Sequence, residues 1–253
     1  MSENVFYFVC YIWLAVAVAV HITMFFYTAP FGRHTNNRWG PLMDNKLGWI
    51  IMESPSLTIM TLFLIFGTYS LQSYAWILFA FWIIHYVNRT LIFPFRIRSK
   101  GKKMPVFIVL NAILFNLMNA GLNGYFLAEM SQNKYSDFWL NSPVTWIGMT
   151  LFLVGMLINW RTDHLLIKLR KPNETGYKIP RGFLFEYISS PNLFGEVIEW
   201  TGFAIITWNL PAVTFMGWTF ANLVPRAKNH HGWYLEKFEE YPKKRKRIFP
   251  FIY

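Results

Sequence analysis

Long apolar runs constrain this chain more than any other feature. Residues 5–27, 73–95, 144–158 and 193–224 are almost continuously hydrophobic, and about 20 such residues cross a hydrocarbon core roughly 30 Å thick. Within that layer each backbone N–H and C=O must find its partner inside the protein, which favours helices. Hydrophobic residues make up 54 % of the sequence and charged residues 15 %, below the quarter or so usual in soluble domains. The expectation is an all-α, multi-pass membrane protein.

Seven transmembrane helices are predicted, at roughly 5–28, 48–67, 73–95, 105–128, 144–167, 193–209 and 211–226. Pro211 divides the last long run, because proline breaks a helix at the preceding residue. Of the 24 basic residues, 21 fall in alternate connections or the C-terminal segment, and Lys134 lies clearly on the other side. Positive-inside reasoning places the N-terminus outside and the C-terminus in the cytoplasm. The net charge of +11 reflects this loop bias rather than nucleic-acid binding, and "KKRKR" at 243–247 resembles a polybasic lipid-headgroup patch. "MSENV" lacks the basic start of a cleavable signal, so the first helix is read as retained. Cys10, the single cysteine, excludes an internal disulfide and a cysteine-based metal site.

Several polar residues need more explanation than packing provides. Glu53 interrupts "LGWIIMESPSLTIMTLF", and an intramembrane carboxylate is costly enough to require a partner or a purpose. Tyr86 and Arg89 in "HYVNRT" share a helix face. Two readings stand side by side: a Glu53–Arg89 ion pair, or a Glu53, Tyr86 and Arg89 donor cluster that binds a carbonyl oxygen. Asn159, Asp163 and Arg170 fall within about 40° of one another on a helix. An amide, an acid and a guanidinium in one stripe suit a polyfunctional ligand. Glu196 and Glu199 follow Asn192 at a helix start, where carboxylates also interact well with the helix dipole. Arg226, His230 and Tyr234 form a further stripe at i, i+4 and i+8. Six scattered histidines do not make the boxes of a di-iron site, so no metal is expected. Neither a dinucleotide-binding glycine fingerprint nor a P-loop is present; a nucleotide would bind between helices and loops, its phosphates met by Arg170, Lys178 and Arg226.

"GYKIPRGFLFEYISSPNLFGEVIEWTGFAIITWNLPA" and "PRAKNHHGWYLEKFEEYPKKRKRIFPFIY" closely resemble the C-terminal half of membrane steroid 5α-reductases (3-oxo-5α-steroid 4-dehydrogenases). "GRHT", "WIIMES", "HYVNRT" and "INWRTDHLLIKLRKP" extend the resemblance upstream. It implies one seven-helix reductase domain over 1–253, with substrate-side helices in about 1–128 and a cofactor-binding half in about 144–253. It also implies NADPH as cofactor and a steroid or similar lipid as substrate. By the same resemblance, the cofactor residues are Trp49, Asn159, Asp163, Arg170, Tyr177, Lys178, Asn192, Glu196, Arg226, His230 and Tyr234. Glu53 and Tyr86 are the catalytic pair that holds the substrate carbonyl, with Arg89 beside them. Met52 stands where relatives carry glutamine, which removes one polar substrate contact. Lys178 replaces an arginine and loses its bidentate fork.

This resemblance gives Glu53 a purpose. Reducing a conjugated enone builds negative charge on the carbonyl oxygen, and donors aimed at that oxygen lower the barrier. Glu53 donates only when protonated, the form that apolar surroundings favour. The alternatives are a polyprenol or enoyl-thioester reductase of the same superfamily, and a membrane methyltransferase of the isoprenylcysteine type. No obligate protein partner is evident. The expected location is the inner membrane of a bacterium or the endoplasmic reticulum membrane of a eukaryote.

Overall fold

The apolar runs fold as helices, and the chain is mostly helical. The structure, a computed structural model, describes residues 1–30, 32–68, 74–99, 101–132, 134–169, 174 and 176–253. In chain order the elements are α1 (Glu3–Phe26), β1 (Leu42–Asp44), α2 (Asn45–Phe66) and α3 (Ala75–Val87). A π-helical turn (Asn88–Ile92) leads to α4 (Phe93–Arg96), followed by β2 (Lys103–Pro105) and α5 (Val106–Tyr125). A second π turn (Phe126–Met130) precedes α6 (Asp137–Leu140), α7 (Pro143–Lys168), α8 (Pro191–Thr207) and α9 (Leu210–Lys237).

Among the described residues, five helical stretches are long and apolar enough to cross a membrane: Glu3–Phe26, Asn45–Phe66, Ala75–Arg96, Val106–Met130 and Pro143–Lys168. The chain is thus a multi-pass membrane protein by length and composition. The sixth and seventh expected spans are also helical, as α8 and α9, but α8 has only 17 residues. Helix α9 runs on to Lys237 and carries Arg226, Lys228 and His230 in its second half. The predicted break at Pro211 is present. Trp208 ends α8 in the left-handed conformation, and Pro211 falls in the first turn of α9, where a missing N–H costs nothing. Asn209 caps the new helix by accepting from the Ala212 N–H at 2.9 Å.

The chain forms two compact units, Ala29–Trp146 and Met1–Thr28 with Ile147–Tyr253. In the first, β1 and β2 form a short antiparallel ribbon with Met43 opposite Met104. The ribbon ties the start of α2 to the start of α5. Asp44 caps α2 by accepting from the Lys46 and Leu47 N–H groups at 2.9 and 3.0 Å.

In the second unit, α1 packs on α9. The Trp13 and Trp218 rings are 4.5 Å apart, Trp218 Nε1 donates to the Trp13 carbonyl at 3.0 Å, and Lys228 Nζ donates to the Phe25 carbonyl at 3.1 Å. Helices α7 and α8 approach through facing glycines. A Cβ on Gly155 would lie 2.6 Å from the Gly195 carbonyl oxygen, and one on Gly148 would lie 3.0 Å from that of Gly202. Small residues permit such backbone contact where apolar burial alone gives membrane helices little reason to associate.

Backbone atoms cannot yield as a flexible side chain can. Gly155→Ala is expected to destabilise the protein by at least about 1–3 kcal/mol, the usual cost of overpacking. Gly121→Ala, a helical position with open space around its Cα, should instead stabilise by about 0.5–1 kcal/mol. Thermal unfolding of both variants in detergent checks this. Equal melting temperatures would contradict the close-approach account.

Candidate functional site

In the unit Ala29–Trp146 the site grows from a proline inside a helix. Pro55 lies within α2 and has no N–H, so the Ile51 carbonyl loses its helical donor. Ser54 Oγ supplies one at 3.1 Å. In the same disturbed turn the Met52 carbonyl accepts from Asn116 Nδ2 of α5 at 2.6 Å. Asn116 is buried at 3 % exposure, and further contacts converge on its amide. Ser56 Oγ donates to its Oδ1 at 3.3 Å, Tyr86 OH reaches Oδ1 at 3.4 Å, and its Nδ2 lies 3.4 Å from Glu53 Oε2. Glu53 and Tyr86, 33 positions apart, thus meet on one side chain.

Tyr86 is buried and stacks on Trp82 at 5.4 Å between centroids. Arg89 falls in the π turn, a distortion frequent at functional sites. Its guanidinium carbon lies 4.6 Å from the Trp49 ring centre and 5.0 Å from that of Phe93. Trp49 is buried beside Met52, Met104 and Val109. Among the four candidates in this unit, Glu53 meets Tyr86 through Asn116, and Arg89 meets Trp49.

In the second unit, the glycine contact between α7 and α8 lets short side chains bridge them. Asn159 Nδ2 donates to the Asn192 carbonyl at 3.1 Å and to Glu196 Oε1 at 3.0 Å, and Asn192 Nδ2 donates to Asp163 Oδ1 at 3.3 Å. Asn159 and Asp163 are buried. Asn159 Oδ1 and the hydroxyl of Ser190, the residue before α8, are buried with no hydrogen-bond partner among the described residues. Tyr177 packs edge-on against Trp233 at 4.9 Å. Lys178 forms a half-exposed ion pair with Glu174 at 2.6 Å. Arg226, His230 and Tyr234 follow one another at helical spacing on α9. Arg170 lies outside the described residues.

The C-terminal segment is laced to the chain before α8. Ile188 and Lys246 form a parallel bridge, in which Ser189 N donates to the Lys246 carbonyl at 2.9 Å and Lys246 N to the Tyr187 carbonyl at 2.8 Å. Tyr241 OH donates to Ser189 Oγ at 2.7 Å, and Ser189 Oγ lies 2.6 Å from His231 Nδ1. Buried Arg245 lies 5.2 Å from the Tyr241 ring centre and 3.7 Å from Glu186 Oε2. These contacts fix the segment that leads into Ser190 and Asn192.

Sequence reading passed over Asn116, Ser189, His231 and Tyr241. Asn116 had a signal: with Asn119 and Asn123 it places three amides at helical spacing in an apolar run. Asn119 and Asn123 donate to carbonyls one turn back, whereas Asn116 reaches α2. Ser189 and Tyr241 carried no comparable mark.

Comparison with known proteins gives one consistent result. A family profile described as 3-oxo-5-alpha-steroid 4-dehydrogenase matches residues 102–253. The chain is 40 % identical to "Steroid 5-alpha-reductase DET2" of Solanum lycopersicum over 257 residues, covering 100 % of this chain and 98 % of the relative. It is 42 % identical to "3-oxo-5-alpha-steroid 4-dehydrogenase 1" of Bos taurus over 96 % of this chain and 95 % of the relative. The Homo sapiens protein of that name is 40 % identical, covering 100 % and 97 %.

His231 lies beyond the apolar part of α9. Burial, helped by Arg247, pushes its pKa below the ordinary histidine value, while burial pushes the Tyr241 phenol up. A histidine held neutral in the fold contributes stability that is complete above about pH 6.5, its unfolded value. That contribution is lost as pH falls through the lowered folded value. The melting temperature should therefore fall on acidification below about pH 6.5, and His231→Asn should flatten that slope. An unchanged slope would remove His231 as its source.

Proposed function

Because this chain belongs to the 3-oxo-5-alpha-steroid 4-dehydrogenase family, we propose that it reduces the 4,5 double bond of a 3-oxo-4-ene steroid with NADPH, Glu53 and Tyr86 polarising the C3 carbonyl. The observation that carries this reading is the convergence of Glu53 and Tyr86 on the Asn116 amide. A carboxylic acid and a phenol held this way offer two O–H donors to a single oxygen. Reduction of the enone moves charge from the β-carbon to that oxygen, and donors already in place stabilise it without reorganising at the moment of reaction. Arg89, over Trp49, supplies a fixed positive charge in the same unit.

The unit that contains α7, α8 and α9 fits a nucleotide. The buried oxygens of Asn159 and Ser190, without a hydrogen-bond partner among the described residues, are the kind of polar atoms that a polyfunctional ligand satisfies. Asp163 and Glu196 suit hydroxyl and amide donors, and Asn159, Asn192, Tyr177, His230 and Tyr234 extend the set. Arg226, Arg170 and Lys178 suit phosphates, Lys178 by giving up its pairing with Glu174. Family resemblance also assigns Trp49 to the cofactor. When bound, NADPH supplies the hydride. The protein supplies orientation, electrostatics and exclusion of water.

In the same reading the domain crosses the membrane seven times, with the N-terminus outside. Helix α8, about 26 Å long at 1.5 Å per residue, and the apolar start of α9 serve as spans six and seven. The side on which basic residues collect supports this orientation.

Two measurements test the assignment, with progesterone as a 3-oxo-4-ene probe. Glu53→Gln and Tyr86→Phe should each lower turnover about 10²–10³-fold, the usual cost of one oxyanion donor, while folding and NADPH binding persist. Near-parental turnover in both removes the pair from catalysis. The parent should also prefer NADPH to NADH, and Arg226→Ala should narrow that preference. Equal use of both cofactors by the parent would contradict the basic rim.

A further inference from the structure

Resting on the reading of Glu53 and Tyr86 as carbonyl donors, we infer that Asn116 is the positioning residue that sets where their protons point. The orientation of its amide is not arbitrary. A backbone carbonyl only accepts hydrogen bonds, so the Asn116 atom 2.6 Å from the Met52 oxygen is the NH2 nitrogen. Turning the amide over would set two acceptors against each other at that distance. The amide oxygen is thereby fixed toward the hydroxyls of Ser56 and Tyr86, at 3.3 and 3.4 Å. The remaining N–H is fixed toward Glu53 Oε2, at 3.4 Å.

Two consequences follow for the donors. The carbonyl-type oxygen of a carboxylic acid is its better acceptor, so the Asn116 N–H at Oε2 favours a Glu53 proton on the other oxygen, Oε1. The Tyr86 hydroxyl meets the Asn116 oxygen at the long end of hydrogen-bond distance. It can therefore exchange the Asn116 oxygen for a more strongly charged acceptor at little cost. Asn116 keeps both donors oriented before substrate arrives without competing strongly for either proton. Met52 and Pro55 take part through the backbone, because the carbonyl that anchors the amide lies in the turn that Pro55 disturbs. Asn116 itself touches no reacting atom. Its part is positioning.

The test is a mutant cycle in full-length protein in detergent, with progesterone and NADPH. Asn116→Leu keeps the volume and removes every polar contact. Its turnover should fall on the order of 10- to 100-fold, as expected when reacting groups are misplaced, with KM for progesterone and Kd for NADPH within about threefold of the parent. In the Tyr86→Phe background the same substitution should cost at least about threefold less than it does in the parent, since one of the two donors it orients is gone. Independent sites add, whereas sites that act through one another do not. Should Asn116→Leu not fold, Asn116→Asp serves in the same cycle. It keeps the shape and the acceptor, replaces the donor facing Met52 and Glu53, and should show the same loss and non-additivity. Fully additive losses, or parental turnover in the Asn116 variants, overturn the inference while Glu53 and Tyr86 remain catalytic. Parental turnover in Glu53→Gln and Tyr86→Phe instead overturns the underlying assignment.

Discussion

The contact between Gly155 and Gly195 decides what α7 and α8 can hold between them. With two backbones this close, an asparagine is long enough to bridge them, and Asn159 donates to both a carbonyl and a carboxylate of α8. Had larger residues stood at these positions, the helices would lie further apart and the same amide would reach neither. The bridging contacts of Asn159, Asp163, Asn192 and Glu196, which the family resemblance assigns to cofactor, depend on that separation. Their arrangement is a consequence of two missing side chains as much as of the polar ones present.

Polar groups in the other unit are organised differently. There, a proline disturbs the hydrogen-bonding pattern of α2, and a hydroxyl and an amide attend to the neighbouring carbonyls. A buried amide bonded at 2.6 Å is expensive to move, because each broken bond strands a polar group in an apolar surrounding. The π turn at Arg89 offers a second departure from regular helix within the same unit. Irregular backbone and the candidate side chains thus coincide, as expected where membrane helices must present polar atoms inward.

Much of this was legible in the sequence. Hydrophobic run length located the helices, and Pro211 marked the boundary between α8 and α9 because proline acts through its own missing N–H. Glu53, Tyr86 and the Asn159–Asp163 stripe stood out as polar groups in apolar context. What remained hidden depends on approach between distant segments. Asn116 lies more than sixty residues from Met52, and no spacing rule joins them. The pairing of α1 with α9 is invisible for the same reason, since an almost uniformly apolar helix carries little information about which neighbour it will choose. Length and composition likewise leave α8, at 17 residues, short of an independent assignment as a span.

The burial of Arg245 changes what the run "KKRKR" amounts to. Read as text it is five adjacent positive charges, but the fold distributes them. Lys243, Lys244 and Lys246 are exposed, Arg245 is turned inward against Tyr241, and Arg247 lies over the Tyr253 ring. Near an anionic bilayer each free cation contributes about 1 kcal/mol of attraction. The segment therefore offers lipid headgroups the pull of roughly three charges, and spends the other two as internal fastenings that phospholipid composition and ionic strength reach far less readily.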